Sequence, residues 1–162
     1  MKRVMLSTAI VMIAIAMGGS VFAGTLSPTV SVSGTVLEVC TGGTGGVLAF
    51  GNIDPSAAGP LSATPTEAYV KCTYGTDFSV AAASTNKGDP AASCAGAGIT
   101  GRLKDAGTNT MDYAFTCTGS GTGDGFLGSG VALGLGASIA SAEYGDAPAG
   151  SYSDNVTLTI TY

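Results

Sequence analysis

Four cysteines are the residues of this chain best able to form a specific covalent bond: Cys40, Cys72, Cys94 and Cys117. Four cysteines in an exported protein are typical of two disulfides, and three pairings are possible. The strand pattern favours Cys40 with Cys72, which would tie one strand to the next, and Cys94 with Cys117, which would close a glycine- and alanine-rich excursion. Zinc is the rival interpretation, but the chain has no C-x-x-C and no histidine.

The same absence of histidine limits catalysis. It excludes Ser-His-Asp and Cys-His nucleophiles and histidine-ligated metals. Paired cysteines would leave no thiolate, and the carboxylates are dispersed among loops without a visible pairing. We therefore expect no enzyme, no metal and no cofactor.

Two weak motifs carry little weight. The stretch GDGFLG, residues 123–128, fits G-x-G-x-x-G, but a dinucleotide site needs a helix afterwards, and SGVALGLG is poor helix material. Asn155-Val156-Thr157 fits a glycosylation sequon inside a strand pattern. Chance explains both better than function.

The first 23 residues have the composition of a secretory signal. Lys2 and Arg3 precede an apolar run, and Val21-Phe22-Ala23 supplies a small-residue cleavage site. The run is shorter than the roughly 20 residues of a membrane span. The sequence thus predicts export and no membrane span in the mature chain.

The mature chain would have 139 residues, enough for one domain with a modest core. It would carry four basic and eleven acidic residues, a net charge of −7. Such a surface repels nucleic acid and anionic membranes, so neither is expected as a partner.

Turn signals interrupt the mature sequence every 8 to 12 residues, which is typical of an all-β sandwich or barrel. Glycines in the late apolar segment argue against a helix there. The predicted strands are residues 29–39, 46–51, 67–74, 77–83, 98–105, 111–118, 137–145 and 156–162.

The final strand has a strict period of two. Val156, Leu158, Ile160 and Tyr162 fall on one face, and threonines fall on the other. This apolar face requires a neighbour.

Near residue 24 a second alternating pattern begins. Leu26, Pro28, Val30, Val32 and Val36 share one parity, and small polar residues occupy the other. After Val36 the phase slips, which indicates two joined segments; a β-bulge is the alternative. The same segment could instead be the first strand of a complete sandwich.

An ordered series of motifs resembles one family. It consists of Cys40, LAFGNIDP (48–55), VKCTYGTDFSV (70–80), RLKDAGTNTMDYAF (102–115) and the closing GSYSDNVTLTITY (150–162). In these stretches the chain is similar to the spore coat protein U-like domain of archaic chaperone-usher pilins.

The resemblance implies an incomplete immunoglobulin-like β-sandwich that lacks its last strand and is completed by donor-strand complementation. It divides the chain into a signal (1–23), a donor extension (24–36) and a pilin domain (37–162). The implied donor residues are Leu26, Pro28, Val30 and Val32. The implied acceptor strand contains Val156, Leu158, Ile160 and Tyr162, and it would face the strand leading into Cys40.

The implied partners are identical or related pilin subunits in a head-to-tail polymer, a periplasmic chaperone and an outer-membrane usher. The polymer would be an extracellular fimbria serving adhesion or biofilm formation. Two alternatives remain: a monomeric secreted coat or binding domain with a self-contained sandwich, and a small exported hydrolase with clustered carboxylates or a free thiolate.

Overall fold

The computed structural model describes residues 24–42 and 45–162. The predicted signal, residues 1–23, lies outside this part of the chain. The chain divides into two units, Met1–Thr35 and Val36–Tyr162. Residues 24–35 have no helix or strand, and their side chains are exposed.

The second unit is almost entirely β, as the turn spacing predicted, and its sheets are antiparallel. Its strands are β1 (Cys40–Gly42), β2 (Val47–Ala49), β3 (Leu61–Ser62), β4 (Thr64–Thr66), β5 (Tyr69–Cys72), β6 (Asp77–Ser84), β7 (Ala92–Ser93), β8 (Ile99–Lys104), β9 (Thr110–Thr116), β10 (Ser120–Thr122), β11 (Val131–Ala132), β12 (Gly136–Ile139) and β13 (Val156–Thr161).

Strand β6 is the centre of one sheet, in the order β10-β6-β13, with β7 also paired to β6. Its sequence DFSVAAAS alternates, so that Phe78, Val80 and Ala82 are buried. Strand β13 pairs with β6 along its full length, from Val156 opposite Ser84 to Thr161 opposite Ser79.

A second sheet has the order β3-β12-β9-β8. On β9 the alternation buries Met111, Tyr113 and Phe115 toward the core. Gly101 of β8 lies opposite Tyr113, and a Cβ at that position would overlap the tyrosine ring. The glycine therefore allows the aromatic ring to lie flat across its own sheet.

Both disulfides link neighbouring parts of the sandwich. Cys40 and Cys72 are directly opposite each other on β1 and β5, and they are bonded. Cys94, just after β7, is bonded to Cys117, just after β9. These are the two pairs favoured from the sequence, and no cysteine is free.

A short helix, α1 (Ser141–Tyr144), replaces the second half of the strand predicted at 137–145. The first half is β12. Tyr144 is buried, and its hydroxyl donates to the carbonyls of Ala57 and Gly59, 3.2 and 2.6 Å away. These bonds hold the loop between β2 and β3 against the domain, a tertiary contact that overrides the weak strand pattern.

The predicted strand at 29–39 was wrong for the single chain, since residues 24–39 contain no strand. An extended segment needs a partner strand for its backbone groups. Because no β-ladder exists there, neither the bulge at Val36 nor the first strand of a complete sandwich is formed.

Candidate functional site

A groove of about 1190 Å³ runs along the domain between strand β13 and the segment that follows β1. Its floor is apolar and belongs mainly to the second sheet. The floor residues are Leu103, Met111, Tyr113, Phe115, Leu133, Leu135 and Ala137.

One wall of the groove is β13. The side chains of Val156, Leu158 and Ile160 line it and are only partly buried, although they pack against the core. These are three of the four residues that the resemblance assigned to an acceptor strand. The fourth, Tyr162, lies beyond the end of β13, is 57% exposed and does not line the groove. In the single chain Tyr162 therefore does not join the other three residues in the groove lining.

The outer edge of β13 has no strand beside it in the described part of the chain. In an antiparallel pair, every second residue exchanges both backbone hydrogen bonds with its partner, and the residues between direct theirs to the other edge. The Thr85 N–H donates to the Asn155 carbonyl at 2.9 Å, one step before the Val156–Ser84 pair. It follows that Val156, Leu158 and Ile160 direct their backbone N–H and C=O groups to the open edge.

The opposite wall is formed by residues 47–53, including β2. The resemblance led us to expect the strand leading into Cys40 there. That segment instead lies beside β5, where the Thr73 N–H donates to the Val39 carbonyl at 2.9 Å and the Cys40–Cys72 bond fixes the register. The wall is thus the continuation of the chain after Cys40.

Aromatic contact steadies the groove near its middle. Phe50 of the second wall meets Tyr113 of the floor edge to face, with ring centroids 6.1 Å apart. The contact joins the wall to the floor across the two layers of the sandwich.

A polar cluster closes the groove where β13 begins. The Asp154 carboxylate accepts hydrogen bonds from the Ser84 and Tyr113 hydroxyls, at 2.6 and 2.7 Å, and from the Asn86 backbone N–H at 3.1 Å. Burial and the neighbouring Asp154 carboxylate raise the pKa of Tyr113 far above its ordinary value, so its hydroxyl stays protonated and donates. Asp154 thereby anchors the start of β13 to β6 and β9.

An ion cluster lies on the β8–β9 hairpin, outside the groove lining. The Asp112 carboxylate bonds to the Arg102 guanidinium at 2.6 Å and to the Lys87 ammonium at 2.9 Å. The hydrogen bond from Arg102 is the main cause that lowers the pKa of Asp112 to about 2. This cluster holds the edge strand β8 to the rest of its sheet.

The predicted donor residues carry no strand in this chain. Leu26, Val30 and Val32 are 94%, 84% and 90% exposed, and Pro28 is exposed as well. Large aliphatic side chains in this state leave a substantial apolar area in contact with water.

Sequence reasoning missed the groove floor and the Asp154 cluster. The alternation of Met111, Tyr113 and Phe115 was a visible signal for a buried face, but the same pattern serves a closed core. Nothing in the sequence distinguishes Asp154 from the other dispersed carboxylates.

The weak motifs acquire no chemical role. The segment after GDGFLG forms irregular backbone and β11, so the helix that a dinucleotide site needs is not present there. Across residues 24–42 and 45–162, no three His, Cys, Asp or Glu side chains cluster as metal ligands. No helix within those same residues is long and apolar enough to cross a membrane.

The fold and groove together define an immunoglobulin-like β domain with an open apolar face beside an unpaired strand edge. The family model of the Spore Coat Protein U domain matches residues 26–159. The chain belongs to the Spore Coat Protein U domain family, as the ordered motifs predicted. This is a family of chaperone-usher pilin-like proteins, structural pilin and coat proteins of the cell surface rather than enzymes. A comparison with curated proteins found no match.

Proposed function

We propose that this protein is the structural subunit of an extracellular fimbria assembled by donor-strand exchange. The proposal rests on one observation: the same chain carries an open groove and a segment able to fill the groove of another copy. The domain has an apolar groove whose wall β13 lacks a neighbour, and residues 24–36 form an alternating segment that lacks a partner.

The dimensions of the two features agree. Strand β13 has six residues, so its ends are five steps apart, which at roughly 3.3 Å per step is about 17 Å. Leu26 and Val32 are six such steps apart, about 20 Å, so the donor segment covers the whole strand with one step to spare. Its apolar residues would face the groove floor while its backbone pairs with Val156, Leu158 and Ile160.

The electrostatics also agree. Residues 24–35 contain no charged side chain, and Asp154 is the one carboxylate among the groove-lining residues. That carboxylate already accepts hydrogen bonds from Ser84 and Tyr113. An apolar strand that fills the groove would therefore not leave a buried charge without partners.

The energy of such a joint is large. Each buried aliphatic side chain contributes roughly 1.5 to 3 kcal/mol, so four give about 6 to 12 kcal/mol before backbone hydrogen bonds. This is comparable with the whole stability of a small domain. An open groove of this kind would also favour aggregation, so the subunit requires a periplasmic chaperone until an outer-membrane usher exchanges the chaperone strand for a subunit strand.

The direction of the donor follows from the two ends of β6. Thr76 precedes β6 at what we name the exit end, where Val39 pairs with Thr73 and the extension joins the domain. Ser84 and Asp154 lie at the opposite end, which we name the entrance end. Each extension joins its own domain at the exit end. In a polymer that grows in one direction, it must therefore enter the groove of the next subunit at the entrance end, where β13 begins. Val32 then lies near Val156 and Leu26 near Ile160, antiparallel to β13.

The test compares two substitutions that add the same charge one residue apart. Val30→Asp places a carboxylate on the groove-facing parity, whereas Ser31→Asp places it on the other. We expect Ser31→Asp to give a ladder on denaturing gels that collapses only on boiling, and Val30→Asp to give monomer. A deletion of residues 24–33 should also give monomer.

A self-contained coat or binding domain makes the opposite prediction. It would run as monomer in every variant, before and after boiling. A ladder that persists in Val30→Asp and in the deletion would likewise contradict donor-strand assembly.

A further inference from the structure

The large exposed hydrophobic residues of the domain concentrate at its exit end. Tyr74 is 84% exposed, Phe126 is 46% exposed and Leu127 is fully exposed. Leu37 and Val39, which lead out of the extension, are 71% and 38% exposed. We name these five residues the exit patch.

Hydrogen bonds from the Thr73 side chain and from the backbone hold the exit patch together. The Thr73 hydroxyl donates to the Leu37 carbonyl at 2.9 Å and accepts from the Val39 N–H at 3.1 Å. On the other side of the same turn, the N–H groups of Gly75 and Gly125 donate to the carbonyls of Gly123 and Cys72, at 3.0 and 3.1 Å. The loop that carries Phe126 and Leu127 is therefore fastened beside the turn that carries Tyr74.

Local geometry keeps this loop in an open conformation with its apolar tip outward. Gly125 and Gly130 have φ near +88°, a region that favours glycine. The Asp124 carboxylate accepts the Gly130 N–H at 3.0 Å and so closes the loop across its base. A loop built this firmly presents Phe126 and Leu127 to solvent as a fixed surface.

At the entrance end the surface is of a different kind. Two loops rich in proline and alanine, residues 52–60 and 146–150, border the groove mouth. Tyr144 ties the first loop down through Ala57 and Gly59, and the Tyr152 hydroxyl donates to the Pro148 carbonyl at 2.8 Å. We name these two loops the entrance loops. Their side chains are uncharged apart from Asp54 and Asp146, and most of them are small.

We propose that the exit patch packs on the entrance loops of the next subunit and forms a second contact at each joint, in addition to the donor strand. This inference rests on the proposed pilin function. The surface that the exit patch contacts belongs to a second copy of this chain, because the segment that links the donor residues to the exit patch is short. We name this segment the tether. From Val32, the last donor residue, to Leu37 there are five residue steps, at most about 18 Å.

The tether would bring the exit patch and the entrance loops together even if the two surfaces did not bind each other as separate molecules. Once a donor strand is seated, the exit patch is held within that distance of the neighbour's groove mouth, which corresponds to a high effective concentration. Burying one aromatic and one aliphatic side chain there would then be favourable even though the patch is too small to bind alone. The contact would limit bending at the joint.

Photo-cross-linking of assembled polymer tests this contact. The photoreactive residue p-benzoylphenylalanine replaces Leu127, whose side chain makes no packing contact that folding requires. The matched control carries it at Thr100, which is exposed on β8 away from both ends. We expect the residue-127 probe to cross-link to residues 52–60 or 146–150 of another subunit, and the Thr100 probe not to do so.

The outcomes separate this inference from the proposed function. Polymer that forms with no cross-link from position 127 to the entrance loops overturns the second contact and leaves the pilin proposal standing. Failure of the unsubstituted chain to polymerise overturns both. A second variant, Phe126→Ser with Leu127→Ser, should still assemble but dissociate at a lower temperature than the unsubstituted polymer. An unchanged dissociation temperature would also contradict the contact.

Discussion

The proposed donor extension, residues 24–36, and strand β13 have nearly the same sequence pattern but differ in structure. Both alternate aliphatic with small polar residues, and both are uncharged. Yet Leu158 packs against the core from a sheet of known register, whereas Val30 is exposed in a segment without secondary structure. A period of two therefore specifies which face of a strand is apolar. Whether the segment becomes a strand at all depends on pairing with a neighbouring strand.

The strongest test of this comparison would join the two regions in one chain. Residues 24–36, appended after Tyr162 through a short glycine-containing turn, should pair with the free edge of β13. We expect the free energy of unfolding to rise by about 5 kcal/mol or more over the domain that lacks the extension, as judged by urea unfolding. The matched control appends the same segment with Val30→Asp and Val32→Asp. Equal free energies of unfolding for the two appended proteins would show that Val30 and Val32 do not pack beside β13.

Substitutions within β13 should have the next largest effect. Leu158→Asp puts a carboxylate on the groove wall and should abolish polymer and chaperone capture. It should also lower domain stability by about 2 to 4 kcal/mol, because Leu158 packs against the core. Thr159→Asp adds the same charge to the exposed face and serves as control. Co-purification measures chaperone capture, and gel analysis measures polymer formation. Normal polymer from Leu158→Asp would show that β13 is not part of the contact between subunits.

The Asp154 cluster should matter less, because the loss of one of its hydrogen bonds leaves the apolar groove lining in place. Tyr113→Phe removes one donor to Asp154 and should lower the free energy of unfolding by about 1 kcal/mol. The variant should still polymerise, since the ring and its contact with Phe50 remain. Loss of polymer at unchanged stability would show that the hydroxyl acts directly in the joint.

The smallest effect concerns pH and the sheet beneath the groove. The pKa of Asp112 is about 2 in the folded protein, below the ordinary value of 3.8. Its stabilisation is therefore fully present above pH 4 and is lost as the pH falls toward 2. Asp112→Asn should cost about 1 kcal/mol at pH 6, after allowance for solvent screening, and almost nothing near pH 2. Unfolding at the two pH values measures the difference; a cost that does not change with pH would assign the effect to packing.

Much of the β architecture could be predicted from the sequence. The patterns at 46–51, 67–74 and 98–105 each contain a strand of the structure, and those at 77–83 and 111–118 each miss one end of a strand by a single residue. The favoured cysteine pairs also formed, because each joins segments that the strand order brings together. The family resemblance added the sites that periodicity could not assign.

Prediction was poorer where long-range contacts decide the local conformation. The segment at 137–145 splits into β12 and α1 because the Tyr144 hydroxyl reaches carbonyls about 85 residues away in sequence. The sequence placed the wall opposite β13 in the strand leading into Cys40, whereas residues 37–41 lie outside the groove lining and β1 pairs with β5.

The sequence by itself determined which residues can form strands, which face of each strand is apolar, and that residues 24–35 carry no charge. Those properties are local, since they depend on side-chain type and spacing. Only the tertiary structure decided that β13 lies at a sheet edge, that Val156, Leu158 and Ile160 direct their backbone groups outward, and that Tyr162 falls outside the groove. These properties depend on which strands pair and in what register, and register is set by contacts between residues far apart in the chain.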